Sequence, residues 1–413
     1  MRPFTFSCAL FAAVLAVSIP ATAQSPLIVA ARSHSAAKTA PPPAPAPPAN
    51  PAVVLQEPGA PAAPMIAAAA WELVDTLSGQ TLGASNADER RDPASLTKLM
   101  TAYVAFAALH AKTIVPSQMV TVSPRAWKAE GSRMFIEPRK AVSVDELLHG
   151  VIIQSGNDAS IAIAEAVSGT EEVFVDRMNQ EAARLKMTST HFVNATGLPD
   201  SQHYSTAADM AKLTVALVRD FPEYYSLYAQ KEFRYNNISQ PNRNRLLWID
   251  PSVDGVKTGY TEAAGYCLVA SSKRGERRLL SVLLGSNSEA ARAQESQKLL
   301  NWGFQFFDAV KLHSAGAPVK ALDVYKGAEG AVKAGFRDDL FVTVPKGEAD
   351  KLKAELLSEQ PLLAPVAQGQ RVGTLRISFD GKPLGEYPVV ALETVPVAGF
   401  FRRAWDTLRL WLK

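Results

Sequence analysis

Apolar positions change rhythm several times along this chain, and each change predicts a different element. Trp71-Glu72-Leu73-Val74-Asp75 alternates loosely and stops at Gly79, which predicts a first strand and a hairpin. After Asp92-Pro93 the spacing lengthens, with Leu99, Ala102, Phe106 and Leu109 on one stripe of a buried helix. Another helix is expected after Ser143, which forms a capping box with Glu146, and Thr206 with Asp209 repeats the signature before Met210. Past residue 240 the pattern returns to short β runs, 253–260, 266–271 and 279–284, and then to helical spacing over 289–307. Strand, many helices, several strands and a helix predict an α+β fold: an antiparallel sheet flanked by helices, with a helical subdomain inserted in the middle. Beyond residue 313, Leu375, Ile377 and Phe379 alternate with polar residues up to Asp380-Gly381, a hairpin turn, and Val389-Val390-Ala391 resumes the run. Residues 313–396 read as a small β-rich domain following a main domain at 65–312.

The two ends carry different patterns. Arg2, an apolar run from Cys8 to Ile19, Pro20 and Ala21-Thr22-Ala23 make residues 1–23 a secretory signal peptide cut before Gln24. Residues 24–64 are Pro/Ala-rich, too poor in apolar bulk to bury a core, and read as an extended linker. At the other end Phe401, Trp405, Leu408 and Leu412 fall on one helical stripe, while Arg402, Asp406, Arg409 and Lys413 follow the same rhythm opposite. Residues 397–413 are therefore expected to form an amphipathic helix lying on a membrane surface, detached from the preceding domain by Pro396 and Gly399. Together these ends predict an exported protein held peripherally at a membrane surface.

Composition narrows the chemistry. A formal net charge of +3 over 413 residues, without a basic run interleaved with aromatics, argues against a nucleic-acid partner. Only Cys267 remains once the signal is removed, so no internal disulfide is expected; within Tyr266-Cys267-Leu268-Val269-Ala270 it reads as a buried small hydrophobe. The six histidines are scattered and suggest no metal site. His110 and His149 fall on apolar helices, as core or capping residues.

Three short strings carry the chemistry. In Ser95-Leu96-Thr97-Lys98 the hydroxyl and the amine are one helical turn apart, near the start of the helix that Asp92 and Pro93 introduce. Burial and the positive end of the helix dipole both disfavour the ammonium form, so Lys98 is expected to act as a neutral base toward Ser95. In Ser155-Gly156-Asn157, Gly156 permits a sharp turn; Ser155 is placed to relay a proton to a leaving amine, and Asn157 to hold an acyl carbonyl or hydrogen-bond Lys98. In Lys257-Thr258-Gly259 a strand end offers a cation and a hydroxyl, and Gly259 leaves room for a substrate backbone along the strand edge. No nucleophile elbow, zinc-binding helix signature, phosphate loop or dinucleotide fingerprint competes with them.

Those strings in that order, within Arg91-Asp92-Pro93-Ala94-Ser95-Leu96-Thr97-Lys98, Gln154-Ser155-Gly156-Asn157-Asp158 and Asp254-Gly255-Val256-Lys257-Thr258-Gly259-Tyr260-Thr261, resemble the D-alanyl-D-alanine carboxypeptidases, the low-molecular-mass penicillin-binding proteins. Asn242-Arg243-Asn244 and Leu247-Trp248 match as well. The resemblance covers roughly 67–396 and the terminal helix. It implies a penicillin-binding, β-lactamase-like transpeptidase fold followed by a C-terminal β-sandwich. It also implies hydrolysis of the terminal D-Ala–D-Ala bond of peptidoglycan pentapeptide stems, with β-lactam antibiotics as covalent inhibitors and no metal or cofactor. By the same resemblance Ser95 is the acylated nucleophile, Lys98 its base, and Ser155 and Asn157 complete the relay. Lys257 and Thr258 contact the substrate's terminal carboxylate, Arg278 assists there, and the backbone N–H groups of Ser95 and Tyr260 form the oxyanion hole. Two departures stand out: Tyr260 occupies a position where many members have His, and Arg139 follows Pro138 where many have Gly.

The nearest alternatives are a class A β-lactamase, which needs a deacylating glutamate in an E-x-x-L-N context that is missing here, and a β-lactam or cell-wall binding protein that acylates without turning over.

Overall fold

Period-two alternation in the long strands separates two hydrophobic cores. The computed structural model describes residues 54–56 and 61–411; the expected signal segment, most of the linker, and Leu412 and Lys413 lie outside the described residues. The main sheet contains β1 (Val54–Gln56), β2 (Ala70–Asp75), β3 (Thr81–Ser85), β4 (Val253–Thr261), β5 (Gly265–Arg274) and β6 (Arg277–Ser286). Its order is β1-β3-β2-β6-β5-β4, antiparallel throughout. On β2 and β6, Ala70, Val74, Leu280, Val282 and Leu284 face a core shared with the helices between the two halves of the sheet. Trp71, Leu73, Leu279 and Leu283 face the other way, against the helix that follows β6. Both faces are covered, so β2 is buried at all six positions and its alternation looks loose in sequence.

The inserted helices are α1 (Lys98–His110), α2 (Val144–His149), α3 (Asn157–Ser168), α4 (Glu171–Arg184) and α5 (Ala207–Asp220); α6 (Glu289–Phe306) covers the far face. The Ser143–Glu146 capping box is present at the start of α2. Thr206 caps α5, but the Asp209 carboxylate turns away to Ser189, Thr190 and Lys212. Ser95 does not lie in the first turn of an α-helix. It lies in a single 3-10 turn, Ala94–Thr97, that leads into α1, with Ala94 at a φ of 47°. Asp92 holds that turn: one carboxylate oxygen accepts from the Ala94 N–H at 2.7 Å and the other from the Thr261 hydroxyl at 2.9 Å, tying the turn to β4.

Phe307–His313 pairs with Leu340–Pro345, so strand structure begins directly at the end of α6 rather than at 313. A second six-stranded sheet runs in the order Leu352–Ser358, Arg371–Phe379, Lys382–Ala391, Ala331–Gly335, Pro318–Tyr325, Leu362–Leu363. Leu375, Ile377 and Phe379 enter its core, and Asp380 and Gly381, at φ of 48° and 77°, make the expected hairpin turn. The two bodies meet at a polar knot in which Asp75, fully buried, accepts from Arg277 at 2.7 Å and from the Thr343 hydroxyl at 3.1 Å.

The terminal helix α7 spans Phe400–Trp411. Pro396 and Gly399 do not detach it. Backbone bonds join Ala328 to Pro396 and Ala398 to Lys326 just before it begins. Asp406 is buried and accepts from the Lys326 N–H at 2.6 Å, and Arg402 donates to the Ala328 carbonyl at 2.7 Å. The polar stripe therefore docks on the domain and leaves Phe400, Phe401, Trp405, Leu408 and Trp411 exposed.

Candidate active site

The edge strand β4, the Ala94–Thr97 turn and the N-terminus of α3 converge on a cleft of about 530 Å³ lined by Ser95, Ser155, Asn157, Thr258 and Tyr260 among others. Lys98 is fully buried beneath it. Its Nζ makes three hydrogen bonds: to Ser95 Oγ at 3.0 Å, to Asn157 Oδ1 at 2.7 Å and to the Thr196 carbonyl at 2.5 Å. Two of these partners are carbonyl oxygens that can only accept. A neutral amine spends its two N–H groups on them, and its lone pair is left facing the Ser95 hydroxyl. Burial, reinforced by the nearby Arg243 charge and opposed by Asp158, lowers the Lys98 pKa to about 7.

The second string adopts a different backbone from the one expected. Ser155, not Gly156, takes the left-handed turn, with φ of 65°, while Gly156 is extended. Asn157 is fixed from both ends, its side-chain N–H donating to the Glu130 carbonyl at 2.6 Å and its backbone N–H to Ser132 at 2.7 Å. Asp158 anchors the loop running past it by accepting from Met134 and Phe135, each at 2.8 Å.

Lys257 does not line the cleft. It is buried behind Ser155, donating to Ser155 Oγ at 2.8 Å and to the Thr258 carbonyl at 3.1 Å. Burial first, and then the charges of Lys98, Arg243 and Arg292, push its pKa well below the ordinary lysine value. Gly259 makes room for the Ala94–Thr97 turn: a Cβ there would lie 3.1 Å from the Pro93 carbonyl and 3.3 Å from both the Ala94 Cβ and the Leu96 nitrogen. Tyr260 is half exposed at the cleft edge and packs on Tyr266, ring centroids 4.4 Å apart.

Arg278 is not at the cleft. Lys257 pairs with Val269 and Val269 with Val282, so Arg278 sits two strands across and four residues down the sheet, on the order of 13 Å along the strand direction alone. Its guanidinium is held by Asp254 at 2.7 Å and by Ser271, over the Tyr225 ring. The cations that line the cleft are Arg243 and Arg292. Arg243 lies in a loop pinned by Asn242 and Asn244, whose side chains bond to Gln230 and Gly255; its own guanidinium makes no hydrogen bond among the described residues. Arg292 donates to the Gly259 carbonyl at 3.1 Å from the first turn of α6.

Several functional positions escaped the sequence reading. Asn194 Oδ1 accepts from the Thr196 and Gly197 N–H groups and so shapes the loop that delivers the Thr196 carbonyl to Lys98. His203, buried, stands behind the Ala94–Thr97 turn. The Val193 N–H donates to its Nδ1 at 3.2 Å, so the ring proton is on Nε2, which donates to Thr97 Oγ1 at 2.8 Å. Burial lowers its pKa to about 4 and keeps it neutral. Arg243 alone had a textual signal, within Asn242-Arg243-Asn244. Cys267 is buried as expected, its thiol pushed up to about 11 by burial.

The chain is similar over most of its length to known proteins. Residues 57–288 match the D-alanyl-D-alanine carboxypeptidase family profile, and residues 307–397 match that of the penicillin-binding protein 5 C-terminal domain. The chain is 46% identical over 352 residues to D-alanyl-D-alanine carboxypeptidase DacC of Escherichia coli, covering 83% of this chain and 88% of that one. It is 37% identical to DacF of Bacillus subtilis, covering 83% and 89%. Among solved structures it superimposes on penicillin-binding protein 5 of Haemophilus influenzae with a TM-score of 0.77 at 41% identity, covering 81% of this chain and 98% of that one. Penicillin-binding protein D2 of Listeria monocytogenes, solved in its ampicillin-bound form, gives a TM-score of 0.54 at 27% identity over 58% of this chain and 98% of that one.

Proposed function

Because the chain belongs to the D-alanyl-D-alanine carboxypeptidase family, and is a serine-type enzyme removing the terminal D-alanine of peptidoglycan pentapeptide stems, we propose that Ser95 is its nucleophile, Lys98 its base and Ser155 its proton donor. The observation that carries this reading is the arrangement around Lys98 Nζ, with two acceptor-only partners and one hydroxyl. Ser95 gives its proton to Lys98 as Oγ attacks the carbonyl of the penultimate D-Ala. The developing oxyanion is met by the backbone N–H groups of Ser95 and Tyr260, donors that contribute about 3 kcal/mol each in comparable sites. Ser155 Oγ accepts from Lys257, which leaves its own hydrogen free for the departing amine. Thr258, Arg243 and Arg292 receive the terminal carboxylate, and Lys257 holds Ser155 in place from behind. Lys98 passes the proton it took from Ser95 on to Ser155, which restores both groups; water then attacks the acyl-enzyme, Lys98 takes its proton, and that proton returns to Ser95 Oγ as the ester breaks. A β-lactam enters by the same first step.

We further propose that the protein acts after export, at the periplasmic face of the inner membrane, with α7 resting in the lipid surface. No helix among the described residues is long and apolar enough to cross a membrane, whereas α7 carries a continuous exposed row of aromatic and aliphatic side chains.

The test is to incubate purified protein with a diacetyl-Lys-D-Ala-D-Ala peptide. Stoichiometric D-alanine release that is abolished in Ser95→Ala and blocked by penicillin supports the assignment. Rapid penicillin hydrolysis with the peptide untouched would replace it with a β-lactamase.

A further inference from the structure

The Thr196 carbonyl that accepts from Lys98 belongs to a segment braced by side chains. Ala195, just before it, is clamped on both sides: its N–H donates to Glu171 Oε1 at 2.9 Å, and its carbonyl accepts from the Thr101 hydroxyl at 2.7 Å. Thr101 lies three residues after Lys98 on α1, so one jaw of the clamp stands on the helix that carries the amine. The other jaw, Glu171, is the first residue of α4, where the positive end of the helix favours a carboxylate. Glu171 is buried, and its second oxygen pairs with Arg125, itself half exposed, at 2.7 Å. About two turns further along α4, Asn179 exchanges two hydrogen bonds with the backbone of Phe192, at 2.8 and 2.9 Å.

We propose that Glu171 is a positioning residue for acylation: through Ala195 it holds the Thr196 carbonyl against Lys98 and so fixes the direction in which the amine faces Ser95. The inference rests on Lys98 being the base. Three successive peptide groups lead to the amine. The N–H between residues 194 and 195 is held by Glu171. The next group is held by Thr101 on its oxygen and by Asn194 Oδ1 on its N–H at 3.1 Å. The third donates its Gly197 N–H to the same Asn194 oxygen at 2.7 Å and gives its carbonyl to Lys98 at 2.5 Å. Each group is planar, so holding them in succession sets the orientation of the last. Asn194 belongs to the loop and moves with it, whereas Glu171 and Thr101 tie Ala195 to two helices. Removing the Glu171 carboxylate leaves a buried N–H without its acceptor, and the loop must shift to satisfy it. That shift takes the Thr196 carbonyl off Lys98 and releases the N–H whose engagement keeps the lone pair on Ser95. Glu171 is one residue removed from the carbonyl and does not line the cleft, so its effect falls on the rate of acylation rather than on substrate binding.

The experiment compares the full mature protein with four variants by acylation rate with fluorescent penicillin, by kcat and KM for a diacetyl-Lys-D-Ala-D-Ala peptide, and by thermal unfolding. Glu171→Ala is expected to slow acylation and kcat about 10–100-fold, the range for a misplaced reacting group, with KM within about twofold. Glu171→Gln keeps an oxygen for the Ala195 N–H while losing the ion pair, and is expected to recover the rate to within about threefold of wild type. Thr101→Val alters the other side of Ala195 with little change of shape. It is expected to show the same loss of kcat at constant KM, and it carries the test if Glu171→Ala does not fold. Asn179→Ala frees α4 from Phe192, four residues before Thr196, and is expected to lower thermal stability while acylation stays within about threefold of wild type. Wild-type acylation in both Glu171→Ala and Thr101→Val overturns the proposal. Equal slowing in Glu171→Ala and Asn179→Ala overturns it too, because the effect would then be a general loosening of α4. Wild-type acylation in Lys98→Ala would instead overturn the assignment of the base.

Discussion

A Cβ placed on Gly197 would lie 1.9 Å from the Ala94 carbonyl oxygen, and Gly197 has a φ of 80°. The loop that supplies an acceptor to Lys98 is thus pressed against the turn that presents Ser95, with no side chain between them. Gly197→Ala must move one or the other, and backbone atoms on both sides leave no cheap direction. The expected cost is about 3 kcal/mol of stability. At temperatures where the variant remains folded, acylation by fluorescent penicillin should slow at least tenfold. Wild-type labelling kinetics in Gly197→Ala would show that the loop and the turn are independent.

The Lys98 pKa of about 7, below its ordinary 10.5, sets the pH response. Acylation needs the neutral amine, so kcat/KM for peptide and the second-order rate with penicillin should both fall below pH 7 along one protonation. Between 7 and 10.5 the unfolded chain holds a proton on this side chain that the native protein does not. This group's contribution to stability therefore rises with pH across that window. Unfolding free energies of wild type and Lys98→Met, compared from pH 7 to 10, should shift in favour of wild type as pH increases. A midpoint for acylation above pH 9 would refute the neutral-amine assignment.

His203 is expected to act through Thr97 as a positioning residue. His203→Ala should lower the acylation rate about tenfold, the loss of about one buried hydrogen bond, with little change in KM. His203→Gln can both accept from Val193 and donate to Thr97, and should restore most of the rate. Its lowered pKa of about 4, against 6.5, makes stability fall as pH drops from 6.5 to 4, with no further loss from this group below that. Equal rates in the Ala and Gln variants would reduce His203 to a packing residue.

The strands, the capping box and the pairing of Ser95 with Lys98 were legible because each depends on spacing along one short stretch of chain. What was not legible depends on meetings between distant elements. Gly259 has a strand-edge sequence, yet its missing side chain serves Pro93, Ala94 and Leu96, some 160 residues earlier. Ser155 in the left-handed region could not be distinguished from its glycine neighbour by composition. Arg139, a departure from the expected glycine, has a φ of 71°, so the chain keeps a glycine-like path with a longer side chain. The Asp406 stripe read as solvent-facing because helical periodicity separates two faces without saying which one docks.

Arg278 shows the same limit and yields a test. The family resemblance put it at the carboxylate subsite, but register puts it with Asp254 and Ser271. Arg278→Ala should lower thermal stability by about 1–3 kcal/mol, as expected for charge-assisted bonds in a partly buried setting, and leave the KM for peptide unchanged. Arg243→Ala should raise that KM about 10–100-fold, the equivalent of one charged hydrogen bond to the substrate carboxylate, with stability nearly intact. The reverse pattern would return Arg278 to the site.

The membrane proposal turns on which face of α7 is free. Asp406 and Arg402 fasten the polar face to the domain, so Phe401, Trp405 and Leu408 face outward without needing to rearrange. Burying two aromatic side chains in the lipid interface contributes about 3–5 kcal/mol at the usual area coefficient, enough to change partitioning by more than a hundredfold. Phe401→Glu with Trp405→Glu should therefore abolish flotation with anionic vesicles while peptide hydrolysis in solution is unaffected. Deletion of 399–413 should do the same and release the protein from inner-membrane fractions. Asp406→Ala separates docking from insertion: it frees the helix from Lys326 but keeps every apolar side chain, so vesicle binding should persist. If the double glutamate variant still floats, the attachment lies elsewhere in the chain and the exposed stripe serves another surface.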